Sequence, residues 1–281
     1  MRPKELCQIF NNLRQLFGSF CLFIERKEKE MTKFIMHGCN GAMGQVITRL
    51  AKEDPEVEIV AGIDINDNVD NGYPVFTNMK DCTVAADVIV DFSVAKAVDG
   101  VIDFAVERQI PLVLCTTGLS EEQLAKVSEA GKKVAVLRSA NMSLGVNTVF
   151  KLAAIGAQVL AQAGYDIEIV EKHHNQKLDA PSGTALAIAD AINEVLNKEY
   201  VYKLDRSQER KKREKKEIGI QAVRGGNIVG EHEVFFCGPD EVIEIKHTAY
   251  SKGIFGKGAI AAAVYLKGKA PGMYTMSDVI D

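Results

Sequence analysis

The sequence lacks the marks of several protein classes. It carries no basic excess, since 34 lysines and arginines stand against 38 aspartates and glutamates in 281 residues. The electrostatic footprint of a nucleic-acid-binding protein is therefore absent. The one basic run, 206–216, is interrupted by glutamates and is typical of a solvated surface. No internal repeat or low-complexity tract occurs.

Cysteine pairs and long apolar runs are also missing. The six cysteines include no C-x-x-C pair, so zinc and redox motifs are unsupported. Scattered cysteines in a long chain suit the reducing cytoplasm, where we expect the protein to reside. The apolar run 16–24 is too short for a bilayer, which needs about 20 residues, and no small-residue cleavage site follows it. We therefore expect no membrane partner and no nucleic-acid partner.

The first thirty residues differ in pattern from the rest of the chain. A second methionine, Met31, directly precedes the first clear strand. This favours an upstream extension over 1–30 that lies outside the fold and has no catalytic part. The alternative is a short amphipathic helix for docking.

From Lys33 onward, short apolar runs alternate with helical periods. Strand-like runs occupy 34–36, 57–63, 88–90, 111–114 and 134–137. Met43, Val46, Ile47, Leu50 and Ala51 share one face of a helix, and Ser120 with Gln123 forms the capping box of another. Strands that alternate with helices predict an α/β fold with a Rossmann-like, doubly wound parallel sheet.

The pattern changes near Met142. A helical stretch covers 144–163, a strand covers 165–171 and a second helix covers 184–196. Three strand-like runs then follow in succession, at 218–223, 228–236 and 242–248. Successive strands predict a second, α+β domain with a mixed or antiparallel sheet. We place the first domain at 31–142 and the second at 143–252, with the tail 253–281, helical over 258–266, packing back onto the first.

A glycine-rich turn, Gly38-Cys39-Asn40-Gly41-Ala42-Met43-Gly44, follows the first strand and opens a helix. Glycines permit the tight turn and the close backbone approach that a pyrophosphate needs. Asp64 ends the second strand, where an acid accepts hydrogen bonds from the adenosine ribose. Because no lysine or arginine lies near in sequence, a 2′-phosphate lacks a partner. We predict NADH as the preferred cofactor and NADPH as the alternative. The competing interpretation of the glycine-rich segment is a strand–helix turn that binds no ligand.

Two later loops follow strands of the same sheet. Ligands of such sheets lie outside the carboxyl ends of the strands, so these loops are candidates for holding the nicotinamide. Ordinary turn chemistry explains either loop equally well. Their candidate residues are Cys115, Thr116, Thr117, Ser139, Ala140, Asn141 and Met142.

The segment E-K-H-H-N-Q-K-L-D-A-P-S-G-T-A, residues 171–185, concentrates the chemistry. His173 and His174 end a strand and point to opposite sides, and an imidazole suits proton transfer near neutral pH. Lys177 adds a fixed positive charge. The helix that opens at 182–184 presents free N–H groups to a carboxylate. A metal site formed by both histidines and Asp179 matches no common ligand spacing, so no metal is predicted.

Several motifs together resemble the dihydrodipicolinate reductase (4-hydroxy-tetrahydrodipicolinate reductase) family of bacterial lysine and diaminopimelate synthesis. The resemblance runs from about Met31 to the C-terminus. It implies NAD(P)H-dependent reduction of 4-hydroxy-tetrahydrodipicolinate or dihydrodipicolinate, a small dicarboxylate, to tetrahydrodipicolinate. It also implies a homotetramer built through the second domain's sheet. The motifs are the glycine turn, Cys115-Thr116-Thr117-Gly118, 141–147, His-His-x-x-Lys-x-Asp-Ala-Pro-Ser-Gly-Thr, Arg224-Gly225-Gly226 and Gly230-Glu231-His232.

The resemblance also implies roles for single residues. His173 is the acid/base residue and Lys177 its partner, while His174, Gly183 and Thr184 hold the substrate. The cofactor residues are Gly38, Cys39, Asn40, Gly41, Ala42, Met43, Asp64 and the two later loops. The chain departs from the family at Cys115, where many members carry glycine, and at Lys252, where an arginine is familiar and a lysine lacks the bidentate fork.

Two other functions compete with this interpretation. One is a semialdehyde dehydrogenase with Cys115 as nucleophile, although no histidine lies near it in sequence. The other is a non-catalytic NADH-sensing module, which has no need of His173, Lys177 and a helix start in one loop.

Overall fold

The parallel sheet and the mixed sheet predicted from the sequence are both present in the computed structural model, which describes residues 30–139 and 141–280. The predictions for 1–29 and for Ala140 fall outside the described residues. The strands are β1 Thr32–His37, β2 Val57–Ile63, β3 Val75–Phe76, β4 Val88–Asp91, β5 Leu112–Leu114, β6 Ala135–Arg138, β7 Asp166–His173, β8 Val201–Lys203, β9 Glu217–Arg224, β10 Gly230–Cys237, β11 Val242–Ala249 and β12 Gly272–Tyr274.

α-Helices separate most strands in the first half of the chain, whereas β8, β9, β10 and β11 follow one another with no helix between them in the described range 201–249. Short 3₁₀ turns at Met79–Asp81 and Ala95–Ala97 precede the α-helix that begins at Val98. The α-helices are α1 Ala42–Glu53, α2 Val98–Arg108, α3 Glu121–Gly131, α4 Leu144–Leu160, α5 Gly183–Val195, α6 Gly253–Leu266 and α7 Met276–Ile280.

The first sheet has seven parallel strands in the order β12-β6-β5-β4-β1-β2-β3. Its central strands β4 and β5 are buried on both faces, as a doubly wound sheet requires. Phe34 packs into one core with α1 and α6, whereas Ile35 faces a second core with α2 and α3. The strand order reverses between β1 and β4, so the crevice that binds ligands in such folds lies where these two strands end.

The second sheet has five strands in the order β11-β10-β7-β9-β8. β7 runs antiparallel to β10 and parallel to β9, so the sheet is mixed. Along β7 every second side chain is buried. Ile167 and Ile169 pack with α4 and α5 in the core, and Glu171 and His173 continue the same face toward the end of the strand.

Helix α6 returns to the first sheet and packs against α1 and β4–β6. It begins at Gly253, five residues before the predicted start at Gly258. A β-carbon at position 258 would lie 1.6 Å from the carbonyl oxygen of Met142, so glycine permits a close approach here. No helix among the described residues has the length and apolarity to cross a membrane.

Candidate active site

Glu171 and His173 share one face of β7 because side chains two apart on a strand point the same way. Nδ1 of His173 lies 2.6 Å from Oε2 of Glu171. Both side chains are buried, that of Glu171 completely. The period-two pattern that buries isoleucines in the middle of β7 therefore places an acid–imidazole pair at its carboxyl end.

Three further donors converge on the Glu171 carboxylate. The Arg224 guanidinium, at the end of β9, donates to both oxygens at 2.7 and 2.6 Å. The N–H of Ser182 donates to Oε1 at 2.9 Å. Although burial acts to raise the pKa of Glu171, these hydrogen bonds outweigh it and lower the pKa below its ordinary value. The carboxylate is therefore ionised at neutral pH.

His173 is held in a dry and mostly positive environment. Burial lowers the pKa of His173, and the nearby charges of Lys177 and Arg224 lower it further, against the opposing effect of Glu171. The ring also meets His232 of β10 edge-on, with ring centroids 5.2 Å apart. Burial lowers the pKa of His232 to about 4, so that ring is neutral at physiological pH.

His174 lies on the opposite side of the strand end and is half-buried. Its Nδ1 accepts the N–H of Gln176 at 3.2 Å. A nitrogen that accepts carries no proton, so the ring proton of the neutral imidazole lies on Nε2. His174 thus offers a hydrogen-bond donor to a neighbouring oxygen.

Lys177 and the start of α5 face the same carboxylate. Nζ of Lys177 lies 2.8 Å from Oδ1 of Asp179. The pKa of Asp179 is lowered, chiefly by Lys177 and also by a hydrogen bond from the Gly183 backbone. An ammonium and a helix N-terminus together therefore hold a carboxylate at this position.

Ser182 joins the helix start to the histidine cluster. Its Oγ caps α5 by accepting the N–H of Ala185 at 3.1 Å, and it lies 3.0 Å from Nε2 of His232. One residue into the helix, Oγ1 of Thr184 accepts a 3.2 Å hydrogen bond from Nδ2 of Asn141. The loop after β6 therefore contacts the start of α5.

Gly38, Asn40 and Gly41 of the glycine turn line one cavity of about 320 Å³ together with Asp64. The described lining residues do not include Cys39, Ala42 or Met43, which were also predicted to hold the cofactor. Gly38 has φ +80°, and a β-carbon there would lie 2.7 Å from the carbonyl oxygen of Phe92, so the turn requires glycine. Oδ2 of Asp64 accepts the N–H of Asn40 at 2.9 Å. The other lining residues are His37, Ile65, Asn66, Phe92, Ser93, Val94 and Ala97.

A chain of amides fixes the turn against the loop after β2. Nε2 of Gln45 donates to Oδ1 of Asn71 at 2.7 Å, and Nδ2 of Asn71 donates to Oδ1 of Asn40 at 2.8 Å. Nδ2 of Asn40 then donates to the carbonyl oxygen of Asn66 at 2.8 Å. Asn40 is therefore held by its side chain while its backbone N–H binds Asp64.

The two later loops are placed differently from the glycine turn. Oγ1 of Thr116 donates to the buried carboxylate of Asp91 at 2.6 Å, and Nδ1 of His37 lies 2.7 Å from the same carboxylate. Thr117 is exposed, and Met142 is buried in the core. The described residues that line the cavity include none of Cys115–Thr117, Ser139, Asn141 or Met142.

Cys115 is a poor nucleophile. Its side chain is buried, and burial followed by the charge of Asp91 raises the pKa of its thiol well above the ordinary value. Only a thiolate attacks efficiently, so this environment argues against the semialdehyde dehydrogenase mechanism. Lys252 is exposed at the residue that precedes α6. Within 30–139 and 141–280, no group of three or more His, Cys, Asp or Glu is arranged to hold a metal ion.

The sequence interpretation gave no role to four residues of this site. Glu171 was detectable from the period-two pattern of β7, which predicts that it shares a face with His173. Arg224 and His232 reach the site only through the pairing of β7 with β9 and β10. Ser93 lies two residues after the end of β4, and its buried Oγ has no hydrogen-bond partner among the described residues.

Comparisons with known proteins identify one family. The family model described as dihydrodipicolinate reductase, N-terminus, matches 32–142, and that described as dihydrodipicolinate reductase, C-terminus, matches 145–280. The 4-hydroxy-tetrahydrodipicolinate reductase of Caldanaerobacter subterraneus subsp. tengcongensis is 54% identical over 252 residues, covering 89% of this chain and 98% of the relative. That of Clostridium novyi is 48% identical over 250 residues, with the same coverage.

A solved structure shares the fold. Dipicolinate-bound dihydrodipicolinate reductase from Paenisporosarcina sp. TG-14 superposes with a TM-score of 0.75 at 24% identity. The superposition covers 89% of this chain and 100% of that one.

Proposed function

This chain belongs to the dihydrodipicolinate reductase family, and we propose that His173 and Lys177 carry out the proton and charge chemistry of its reaction. The chain is an NAD(P)H-dependent oxidoreductase that reduces 4-hydroxy-tetrahydrodipicolinate or dihydrodipicolinate to tetrahydrodipicolinate, a step of lysine and diaminopimelate synthesis. The observation that carries the proposed roles is the buried Glu171–His173 pair beside Lys177 and the start of α5.

Reduction of a conjugated C=C–C=N system needs a hydride at carbon and a proton at a second atom. A reduced nicotinamide, when bound, would supply the hydride. His173 transfers the proton, since its lowered pKa makes the protonated ring a ready donor. Lys177 stabilises the negative charge that develops on the substrate, because it holds a full positive charge within the half-buried site.

The substrate carboxylate binds where the carboxylate of Asp179 now lies. Lys177 and the Gly183 N–H already hold that group, so the position has the charge and the donors that a carboxylate requires. His174 donates from Nε2, and the half-buried Thr184 borders the same helix start. A substrate oxygen that replaces Asp179 gains the same partners.

The residues around the glycine turn fit a dinucleotide. Gly38 permits a pyrophosphate to approach the backbone closely, and the N-terminus of α1 adjoins the cavity. The buried Oγ of Ser93 has no hydrogen-bond partner among the described residues and can bind a polar group of the cofactor. Asp64 suits the ribose hydroxyls, and the described lining residues include no lysine or arginine to pair with a 2′-phosphate. NADH is therefore the preferred cofactor. Comparable kcat/KM values for NADH and NADPH would refute this preference.

The later loops complete the nicotinamide site when the cofactor is bound. Asn141 supports this assignment because it contacts Thr184 next to the substrate position. Thr116 donates a hydrogen bond to the carboxylate of Asp91, which also accepts the backbone N–H of Ser93. Thr116 is therefore linked through Asp91 to a residue that lines the cofactor cavity. Residues 31–142, with the returning 253–281, form the cofactor domain, and 143–252 form the substrate-binding domain.

The second domain also builds a cytoplasmic homotetramer. Large apolar side chains of α4 and β11 are solvent-exposed in the single chain, and such patches are typical of interfaces. Sedimentation equilibrium with the mass of four chains supports the assembly, and the mass of one chain contradicts it. The exposed side chains are Leu152, Ile155, Val159, Val242 and Ile243.

The test of the proposed function is NADH oxidation by the purified protein, with and without 4-hydroxy-tetrahydrodipicolinate. We expect oxidation only when the dicarboxylate is present. Binding of NADH without substrate-dependent oxidation would instead favour the NADH-sensing module. Near-normal turnover of Cys115→Ala would further exclude Cys115 as a nucleophile.

A further inference from the structure

Glu171 carries a negative charge where burial makes charge costly. Its carboxylate compensates by accepting hydrogen bonds from Arg224, the Ser182 N–H and His173. These are four hydrogen bonds, two from the guanidinium, and an ionised carboxylate offers about four lone-pair positions. Each oxygen accepts two of them. The carboxylate therefore acts only as an acceptor toward each of its neighbours.

A neighbour that only accepts determines which nitrogen of the histidine carries the proton. Nδ1 of His173 lies 2.6 Å from Oε2 of Glu171, so Nδ1 must hold a hydrogen. A neutral imidazole has one ring proton, so its Nε2 then carries a lone pair. We propose that Glu171 is a positioning residue that holds His173 with its proton on Nδ1 and leaves Nε2 as the atom that exchanges the catalytic proton. This inference rests on the proposed role of His173.

The surroundings of Nε2 suit proton exchange. Nε2 lies over Gly230 of β10, where a β-carbon would be only 3.1 Å away. Glycine at this position leaves that edge of the ring uncovered. On the other side of the ring, the Nδ1–H contact with Glu171 fixes its rotation. The ring is thus oriented through Nδ1, and no side chain at position 230 covers Nε2.

Two positive charges and one negative charge face His173. Glu171 contributes one negative charge, while Lys177 and Arg224 contribute positive charges and His232 is neutral at physiological pH. Arg224 therefore neutralises Glu171 without removing its hydrogen bond to the ring. The pair can orient the imidazole without holding it permanently protonated, which a lone carboxylate partner would favour.

The proton balance of the step is simple. In the protonated ring, the Nε2–H bond breaks and the proton passes to the substrate, which receives the hydride at carbon. The ring returns to its neutral form with Nδ1–H still bonded to Glu171. A proton from solvent then restores Nε2–H, and the carboxylate is unchanged throughout.

Nitrogen NMR of the full chain labelled with ¹⁵N-histidine reads this assignment directly. The chain has five histidines, and the resonances that disappear in His173→Gln identify the ring. Neutral His173 is expected to show a protonated Nδ1 and an unprotonated Nε2. The reverse pattern overturns the proposal. The measurement uses the native protein, so it holds even if a Glu171 variant fails to fold.

Kinetics then separate positioning from a structural role. Glu171→Gln is expected to lower kcat about 10²-fold, within the range that general acid–base catalysis contributes, with the affinity for NADH unchanged. Because Glu171 raises the pKa of His173, its loss should move the pH limb of kcat to lower pH. The control is Glu168→Gln, an ion-paired glutamate on the other face of β7, which should retain turnover and pH profile.

A double variant distinguishes this proposal from the proposed function. If Glu171 acts through His173, Glu171→Gln adds no loss to His173→Gln. An equal additional loss in that background, or full turnover of Glu171→Gln alone, overturns the positioning role. Full turnover of His173→Gln would instead refute the proposed function, while the NMR measurement would still decide the tautomer.

Discussion

Asn141 donates a 3.2 Å hydrogen bond from Nδ2 to Oγ1 of Thr184. The two residues lie beside different sheets: Asn141 is in the loop after β6 of the parallel sheet, and Thr184 is in the first turn of α5, which covers the mixed sheet. The loop proposed for the nicotinamide therefore contacts the helix start proposed for the dicarboxylate. Hydride transfer requires this adjacency, because the two reacting carbons must lie about 3–3.5 Å apart.

Replacement of Lys177 by methionine should lower kcat on the order of 10²-fold, the cost of losing one group that stabilises developing charge. NADH binding should be unchanged, because Lys177 is not among the described residues that line the cavity at the glycine turn. Steady-state kinetics and fluorescence titration with NADH measure the two effects. Lys172→Met is the matched control, since Lys172 pairs with Glu231 and Glu233 on the other face of β7. Near-normal turnover of Lys177→Met would remove Lys177 from the mechanism.

The pH dependence of kcat follows from the environment of His173. The protonated ring is the donor, so kcat falls as the pH rises through the pKa of His173. Burial lowers this pKa below the ordinary value of 6.5, and the limb should therefore lie at a lower pH than that value. His173→Gln should lack this limb. A limb above the ordinary value in the wild-type enzyme would show that another group donates the proton.

Asp64→Asn should weaken NADH binding about tenfold, because a hydrogen bond to a charged acceptor contributes about 1.5–3 kcal/mol. NADPH should lose less, since the variant removes a carboxylate that repels the 2′-phosphate. The ratio of kcat/KM for the two cofactors then shifts toward NADPH. Asp67→Asn, exposed in the same loop, serves as the control. An unchanged ratio would argue that Asp64 does not contact the ribose.

Asp91→Asn should destabilise the fold by about 2 kcal/mol at neutral pH, since the buried carboxylate binds His37 and Thr116. Although burial opposes it, these hydrogen bonds lower the pKa of Asp91. Its stabilising effect is thus present above the ordinary pKa near 3.8 and is lost as pH falls through the lowered value. Urea denaturation at several pH values measures this difference. Asp103→Asn, an exposed helix residue, should change stability by less than about 0.5 kcal/mol.

The sequence predicts a long strand such as β2 better than it predicts the short strand β12 and the start of the returning helix α6. β2 is predicted residue for residue because its β-branched run is bounded by turn residues. β12 has three residues, too few for any periodicity. The start of α6 is missed because Gly256 and Gly258 resemble helix breakers, although they permit close packing. A β-carbon at Gly256 would lie 2.8 Å from Cδ1 of Leu50.

The residues of the candidate site fall into two groups: those that a local sequence motif predicts and those that only the pairing of distant strands brings together. His173, Lys177 and Gly183 lie within eleven residues of one another, so a local motif predicts their proximity. Arg224 and His232 reach Glu171 and Ser182 through strand pairings that span more than fifty residues. The register of such pairings depends on the packing of the whole sheet, which a single sequence does not display.

The central claim is that His173 transfers the proton of the reduction. The most direct measurement is the turnover of His173→Gln with saturating NADH and dicarboxylate, compared with the wild-type enzyme under the same conditions. We predict a loss of kcat of about 10²–10⁴-fold with the dissociation constant of NADH unchanged. Turnover within a factor of a few of the wild-type value would contradict the account.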